Sequence, residues 1–257
     1  IILLMLIKRI IPVLLLKDRN LIHLTRFERE NETYIGDPIN VVNIFNDYEV
    51  DEMILLDVNK TKTGGKVDID YLKIISGEAF FPMSYGGGIS SIQEAEQIIE
   101  AGFEKIILNN KNLKNFDLSK QCIKAIGSQS VIASVDIINH KDDLFLYNYV
   151  KNEKVKINLQ DFLKSLIEIG IGEICITNVG LDGSMLGSNI DILEHLGNIF
   201  NVPIIFKGGA KNYSDIKKVL KTKVSAFASS TIFIMKKPGG GIVLNYPSLK
   251  EKEDLYE

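Results

Sequence analysis

The chain repeats itself. Phe81-Pro82 and Val202-Pro203 open two similar apolar runs 121 residues apart. The same offset pairs Gly87 with Gly208, Gly88 with Gly209, Glu52 with Glu173, Asp57 with Asn178 and Leu15 with Asp136. Matches that gather at the ends of apolar runs are what a fold built from two copies of one unit leaves in its sequence. Eight such runs occur: "RIIPVLLL", "EMILLDV", "FPMSYGG", "KIILNN", "SVIASVDI", "EICITNV", "VPIIFKGG" and "VSAFASS". Between most of them lie stretches such as "SIQEAEQIIEAG", whose apolar residues recur at helical spacing, with Gly102, Gly170 and Gly172 where helices should stop. Strand and helix alternating eight times predict the α/β class and a single (β/α)8 TIM barrel built from two half-barrel repeats. No linker divides the chain, so one domain is expected over residues 5–257; Ile1 to Leu4 precede Met5 and are given no role. "LFLYNYVKNEKVKI", after the fifth run, reads as an inserted hairpin, and the segment after the first run reads as a long loop.

Composition narrows the function classes. The 257 residues are 46% hydrophobic and 25% charged, with a net charge of −3. That balance gives no support for nucleic-acid or membrane-surface binding through bulk charge. The opening "IILLMLIKRIIPVLLL" could pass for a signal or anchor, but Lys8, Arg9 and Pro12 interrupt it and no small-residue cleavage site follows, so it reads as a core strand. Cys122 and Cys175 lie far apart without metal spacing; Cys175, inside an apolar run, reads as a buried free thiol, and a reducing cytoplasm fits. No P-loop, zinc-spaced cluster or Ser-His-Asp order is visible, so neither a cofactor nor a metal is expected.

Two glycine runs, "YGGGIS" and "KGGAK", follow the third and seventh strands. Glycine lets a backbone approach a ligand closely and aim its N–H groups at an anion, and barrel phosphate sites are often built this way. A tight turn explains one run equally well; two at the half-barrel offset favour binding. Gly87 and Gly88 with Asn109 and Asn110, and Gly208 and Gly209 with Ser229 and Ser230, are therefore expected to form two anion sites on opposite sides of the mouth.

Asp136 ends an apolar strand at the end where barrel active sites lie, and reads as a general acid or base. Its half-barrel counterpart is Leu15, so one carboxylate stands where two opposed ones would be expected. Asp57 either serves the site or holds the loop "NKTKTGGK", and Asp182 either helps a site or caps a turn. His23 lies in the segment after the first strand, within reach of a substrate; His140 and His195 pair with no nucleophile. Arg9, Glu52, Lys105 and Glu173 sit at the opposite strand ends. They could neutralise one another as a ring, although strand starts solvated one by one are the plainer reading.

With these residues in view, "KRIIPVLLLKD", "GDPINVVNIFND", "DEMILLDV", "YGGGI", "GSQSVIASVD", "GEICITNVGLDGSMLG" and "PIIFKGGA" together resemble the HisF family, the cyclase subunit of imidazole glycerol phosphate synthase, in order along nearly the whole chain. The resemblance implies a barrel that docks a HisH-like glutaminase and passes ammonia through its interior to a phosphorylated small-molecule substrate. It assigns Arg9, Glu52, Lys105 and Glu173 to the family's salt-bridged ammonia gate and Glu104 to the glutaminase interface. It matches Asp136 to one of two acid–base aspartates and lays the other on Leu15. A lysine of the flexible loop after the first strand falls on His23, and Gly180 and Leu181 replace polar residues beside Asp182.

General acid–base assistance contributes roughly 10²–10⁴-fold to a rate, and leucine can provide none. An intact gate beside a depleted mouth resembles the branch of HisF-like proteins from surface-polysaccharide loci, which share "IPVLLLK" and a segment like "IVLNYP". These work with a HisH-like glutaminase and an ATP-dependent sugar amidotransferase to turn an acetamido group into an acetamidino group. The expectation is an ammonia-delivering subunit of that kind. An authentic histidine-pathway cyclase is the alternative, and a sugar-phosphate isomerase on the same half-barrel plan ranks last. The "KKPGGG" before "IVLNYP" stands where a helical ending would be expected of a complete cyclase.

Overall fold

In the computed structural model, which describes residues 8–140, 143–196 and 201–256, all eight expected apolar runs form strands. Ile1 to Leu4 and the rest of the opening segment up to Ile7 lie outside the described residues. In chain order the strands are β1 (Arg9–Lys17), β2 (Asn20–Thr25), β3 (Glu28–Gly36), β4 (Met53–Asp57), β5 (Met83–Gly86), β6 (Lys105–Leu108), β7 (Val131–His140), β8 (Asp143–Asn148), β9 (Glu153–Val155), β10 (Glu173–Asn178), β11 (Ile204–Lys207) and β12 (Ala226–Ser229). Eight of them pair in parallel in the order β1, β4, β5, β6, β7, β10, β11, β12, and β12 returns to β1 through Arg9 opposite Ala226. The sheet is therefore closed into a (β/α)8 barrel. The 121-residue repeat holds in three dimensions: β5 and β11, and β6 and β12, begin and end at that offset.

The helices are α1 (Pro38–Asp47), α2 (Lys60–Thr63), α3 (Ile69–Glu78), α4 (Ile92–Glu100), α5 (Asp117–Ile126), α6 (Leu159–Glu168), α7 (Asp191–His195), α8 (Tyr213–Leu220) and α9 (Leu249–Tyr256). Their starts are written in the sequence. Asp37, Asp68, Ser91, Asn158 and Asn212 each accept a hydrogen bond from a backbone N–H in the first turn of the helix that follows, as N-caps do.

Strand side chains alternate between faces, and the alternation sorts the apolar residues into two clusters. Ile10, Leu14, Met53 and Leu55 pack outward among helix residues such as Val42, Phe45 and Leu72. Ile11, Val13, Leu15, Ile54, Ile107, Ile132, Cys175, Ile205, Ala226 and Ala228 form a separate cluster that contains no helix residue. The second cluster is the barrel interior.

Two antiparallel extensions depart from the plain barrel, each following the first strand of a half-barrel. The expected hairpin after the fifth barrel strand is present as β8–β9. The segment after β1, expected as a loop, is a second hairpin, β2–β3, paired back on β1 with Lys17 opposite Asn20. Its two-residue turns, Asp18-Arg19 and Arg26-Phe27, hold all four residues at φ between 49° and 63°, the backbone of a type I′ turn. No glycine marks either turn, which is why the sequence reads as a loop.

The chain end also differs from expectation. "KKPGGG" is irregular, but the eighth helical position is then filled by α9, which packs beside α8. Tyr246 ties this segment to the base of the barrel: its hydroxyl donates to Ile10 O at 2.7 Å and accepts from Asp51 N at 3.2 Å. Asp51 in turn accepts from Lys252 Nζ and from the Tyr256 hydroxyl. Tyr246→Phe strands a buried carbonyl and weakens the clasp, so it is expected to lower unfolding free energy by about 1–3 kcal/mol, measured by urea denaturation.

Candidate functional site

The interior is layered along the barrel axis. At the N-terminal ends of the strands, Arg9 donates from Nη1 to Glu52 Oε2 at 2.5 Å and from Nη2 to Glu173 Oε1. Lys105 Nζ reaches Glu52 Oε1 and Glu173 Oε2, each at 3.2 Å. Each cation thus bridges both anions in a closed four-membered ring, with Ser84 Oγ also donating to Glu52 Oε1 at 3.0 Å. The glutamates are buried and the cations half-buried. Burial works against the charge on Arg9, but Glu173 and Glu52 outweigh it and hold its pKa above the usual value. The reading of these residues as separately solvated strand starts does not survive; they converge because all four point inward at one level. Glu104, one residue before Lys105, is exposed at the same end.

Above the ring lies the apolar cluster. Cys175 is part of it, with its thiol pushed up to about 12 by burial, so it stays protonated. Both cysteines are buried and free.

At the C-terminal ends of the strands a cavity of about 1200 Å³ opens. Leu15, Asp57, Gly87, Gly88, Asn109, Asn110, Asp136 and Lys207 all border it. Asp136 Oδ2 accepts from Asn109 Nδ2 at 2.8 Å. Burial pushes its carboxyl up to about 6, against the opposing pull of Asn109, the Lys207 charge and Thr177. Its pKa therefore lies close to the range in which a group both gives and takes protons near neutrality. Leu15, on the opposite wall of the barrel from Asp136, is 5% exposed and packs in the interior cluster with Ile54 and Ile22.

The first expected anion cluster is thus assembled. Gly87 and Gly88 have φ of 124° and 73°, and a Cβ on Gly87 would lie 2.3 Å from Asp57 O, so the turn requires glycine there. Asp57 serves the loop: its Oδ1 accepts from Asn59 N at 3.0 Å and Lys60 N at 3.1 Å, while burial raises its pKa.

The second cluster is arranged differently. Gly208 and Gly209 share the left-handed backbone of the first pair, but neither they nor Ser229 and Ser230 border the cavity. Gly187 N donates to Gly209 O at 2.8 Å, and Ser188 Oγ to Gly208 O at 3.1 Å. Ser230 Oγ is buried without a hydrogen-bond partner among the described residues. The β2–β3 hairpin leans on these loops. Arg26 N donates to Asp182 O at 2.8 Å, and His23 Nε2 lies 2.8 Å from Thr231 Oγ1. His23 is therefore not on an open loop: it is buried in a strand, and burial lowers its pKa.

Asp182 does not cap a turn with its side chain. Its Oδ2 accepts from Lys207 Nζ at 2.7 Å, an ion pair with both side chains almost wholly buried. The sequence reading passed over Lys207. The signal was present, since a lysine two residues after interior Ile205 must point into the barrel, but it was read as the lead-in to a glycine run. Among the described residues no group of histidine, cysteine, aspartate and glutamate is placed to hold a metal, and no helix is long and apolar enough to cross a membrane.

The sequence profile of the histidine biosynthesis protein family matches residues 9–237. A protein of Leptospira borgpetersenii, provisionally named imidazole glycerol phosphate synthase subunit HisF, is 34% identical over 257 residues, covering 98% of this chain and 100% of its own. A Leptospira interrogans protein with the same provisional name is 33% identical, with the same coverage. The imidazole glycerol phosphate synthase subunit HisF of Streptococcus mutans is 30% identical over 231 residues, 89% of this chain and 91% of its own.

Asp136 couples stability to pH. Its folded pKa is raised to about 6, above the ordinary aspartate value near 3.9. Its contribution to stability is therefore intact below about pH 4 and is lost as pH rises through about 6. Asp136→Asn removes the burden of a buried anion, and should unfold at higher temperature than the parent at pH 8 but not at pH 4. Thermal unfolding at both pH values checks this; an equal difference at the two would contradict it.

Proposed function

The chain belongs to the histidine biosynthesis protein family, and on that premise we propose that it is a HisF-like subunit that receives ammonia from a HisH-like glutaminase and delivers it to an acceptor other than the cyclase substrate. One contrast carries the reading: the charged ring at the base is complete, while the mouth presents Leu15 across from Asp136. In this reading Arg9, Glu52, Lys105 and Glu173 gate the lower opening and Glu104 faces the glutaminase. The apolar interior favours neutral ammonia over ammonium, because an ion entering it would shed hydration at a cost of several kcal/mol. Asp136 handles protons at the upper end. Gly87, Gly88, Asn109 and Asn110 hold a phosphoryl group of the substrate there, and Gly208, Gly209, Ser229 and Ser230 a second one once the β2–β3 hairpin moves. Asp57 and Asp182 brace these loops.

The acceptor that best suits a mouth without paired carboxylates is an acetamido sugar, converted to the acetamidino form with an ATP-dependent sugar amidotransferase in surface-polysaccharide synthesis. The chain's work is then cytoplasmic. A histidine-pathway cyclase is the second reading, favoured by the retention of Asp136 and of a complete first anion cluster at the cavity.

The two readings separate in one experiment. With ammonium supplied directly, the purified chain is expected to form no imidazole glycerol phosphate, and Leu15→Asp to gain measurable cyclase turnover. With a HisH-like glutaminase and [amide-¹⁵N]glutamine, the label should reach the upper mouth in the parent chain. Robust cyclase turnover by the parent, or rescue of a histidine auxotroph, would establish the second reading instead.

A further inference from the structure

We propose that Lys207 is a substrate-binding residue of the upper mouth, donating a hydrogen bond to a neutral carbonyl oxygen on the nitrogen acceptor. The inference rests on the reading of that mouth as the place of nitrogen transfer, and it assigns a residue to the acyl oxygen of that acceptor.

Lys207 closes β11 in register with Thr177 and Ala228, and Ile205, two residues earlier, belongs to the barrel interior. The side chain therefore points up the axis, and it borders the cavity with Leu15 and Asp136. An ammonium carries three donor protons and no acceptor. Asp182 Oδ2 takes one at 2.7 Å, and the Phe27 ring lies 5.5 Å from Nζ on another side. Among the described residues Lys207 makes no other hydrogen bond. A lysine 2% exposed with donor capacity left at a cavity wall is poised for an acceptor that enters that cavity.

The surrounding charge selects the kind of acceptor. Asp182 already balances Lys207, and Asp136 stands in the same cavity. An incoming oxyanion would meet two carboxylates against one ammonium. A neutral oxygen meets no such repulsion, and the ammonium, itself almost wholly buried, polarises it. Leu15 adds to the fit, because an aspartate there would place a third carboxylate at the same mouth. Anionic parts of the acceptor are better served at the rim, where Lys60, Lys111, Lys114 and Lys151 line the cavity. An N-acyl sugar phosphate combines the two requirements.

The test uses the full chain labelled with ¹³Cε-lysine, with the Lys207 resonance identified by its absence from Lys207→Arg. N-acetylglucosamine 1-phosphate is titrated in, with glucosamine 1-phosphate, which lacks the acyl carbonyl, as the paired probe. The proposal expects the Lys207 signal to move with the acetylated probe alone. It also expects Lys207→Met/Asp182→Asn, which removes the ion pair without leaving a buried charge, to weaken that probe at least tenfold relative to its partner. Movement with both probes would mean that Lys207 reads the phosphate, and movement with neither that it serves only Asp182; either result overturns the proposal. Delivery of glutamine nitrogen is scored separately in the parent chain. Normal delivery with an indifferent Lys207 sinks this inference alone, and a responsive Lys207 without delivery sinks the channel reading alone.

Discussion

A closed sheet offers an inward-pointing side chain no bulk water, so charge placed there must be answered by opposite charge at contact distance. The ring at the base meets that condition: Glu52 and Glu173 are buried, and each is touched by both Arg9 and Lys105. Arginine suits this place, since its planar fork reaches two carboxylates from one side chain. Buried ion pairs are weak evidence for net stability, while the loss of a single partner is strongly destabilising. A ring of four is therefore hard to dismantle one residue at a time.

The same condition governs the upper end, with a different solution. Asp136 is held by Asn109, with its pKa pushed up to about 6 by burial, and Asp182 is neutralised by Lys207. Leucine at position 15 completes the apolar lining where a further carboxylate would have had to find its own counter-charge. The mouth is thus a place with one proton-exchanging group, one ion pair and an apolar wall, opening on a rim rich in lysine.

The barrel was legible in the sequence because its eight runs are short, apolar and separated by helical patterns, and because the repeat places them in two equivalent sets. The β2–β3 hairpin was not, since its turns at Asp18-Arg19 and Arg26-Phe27 adopt left-handed backbone without the glycine or asparagine that announces it. The repeat itself held the missing clue: the segment read as a hairpin after β7 has its counterpart 121 residues earlier, after β1. The ring was visible as four charges but not as a ring, because linear sequence does not say that residues 9, 52, 105 and 173 share one level inside a cylinder; only the family resemblance joined them. Covering of the second glycine cluster depends on tertiary contacts such as His23 with Thr231, which no local pattern encodes.

The half-barrels differ where their symmetry is otherwise closest. Gly87 and Gly208 have φ of 124° and 111°, Gly88 and Gly209 of 73° and 87°, so the two glycine turns are one backbone used twice. Two positions earlier in the chain from Gly88 and Gly209 the copies part. Gly86 is crowded, with a Cβ there falling 2.9 Å from Leu56 Cδ2 and 3.0 Å from Ile107 Cβ, whereas its counterpart is Lys207. At the other inward site of the same layer, Leu15 faces the role that Asp136 fills in the second half. Both differences lie at the upper end of the interior and both set its charge: the first half gives the mouth apolar surface, the second gives it the carboxylate and the ammonium. A scaffold that preserves its strand offsets, its turns and its basal ring while dividing polarity between its halves at this layer has concentrated its specialisation in the few side chains an acceptor would meet.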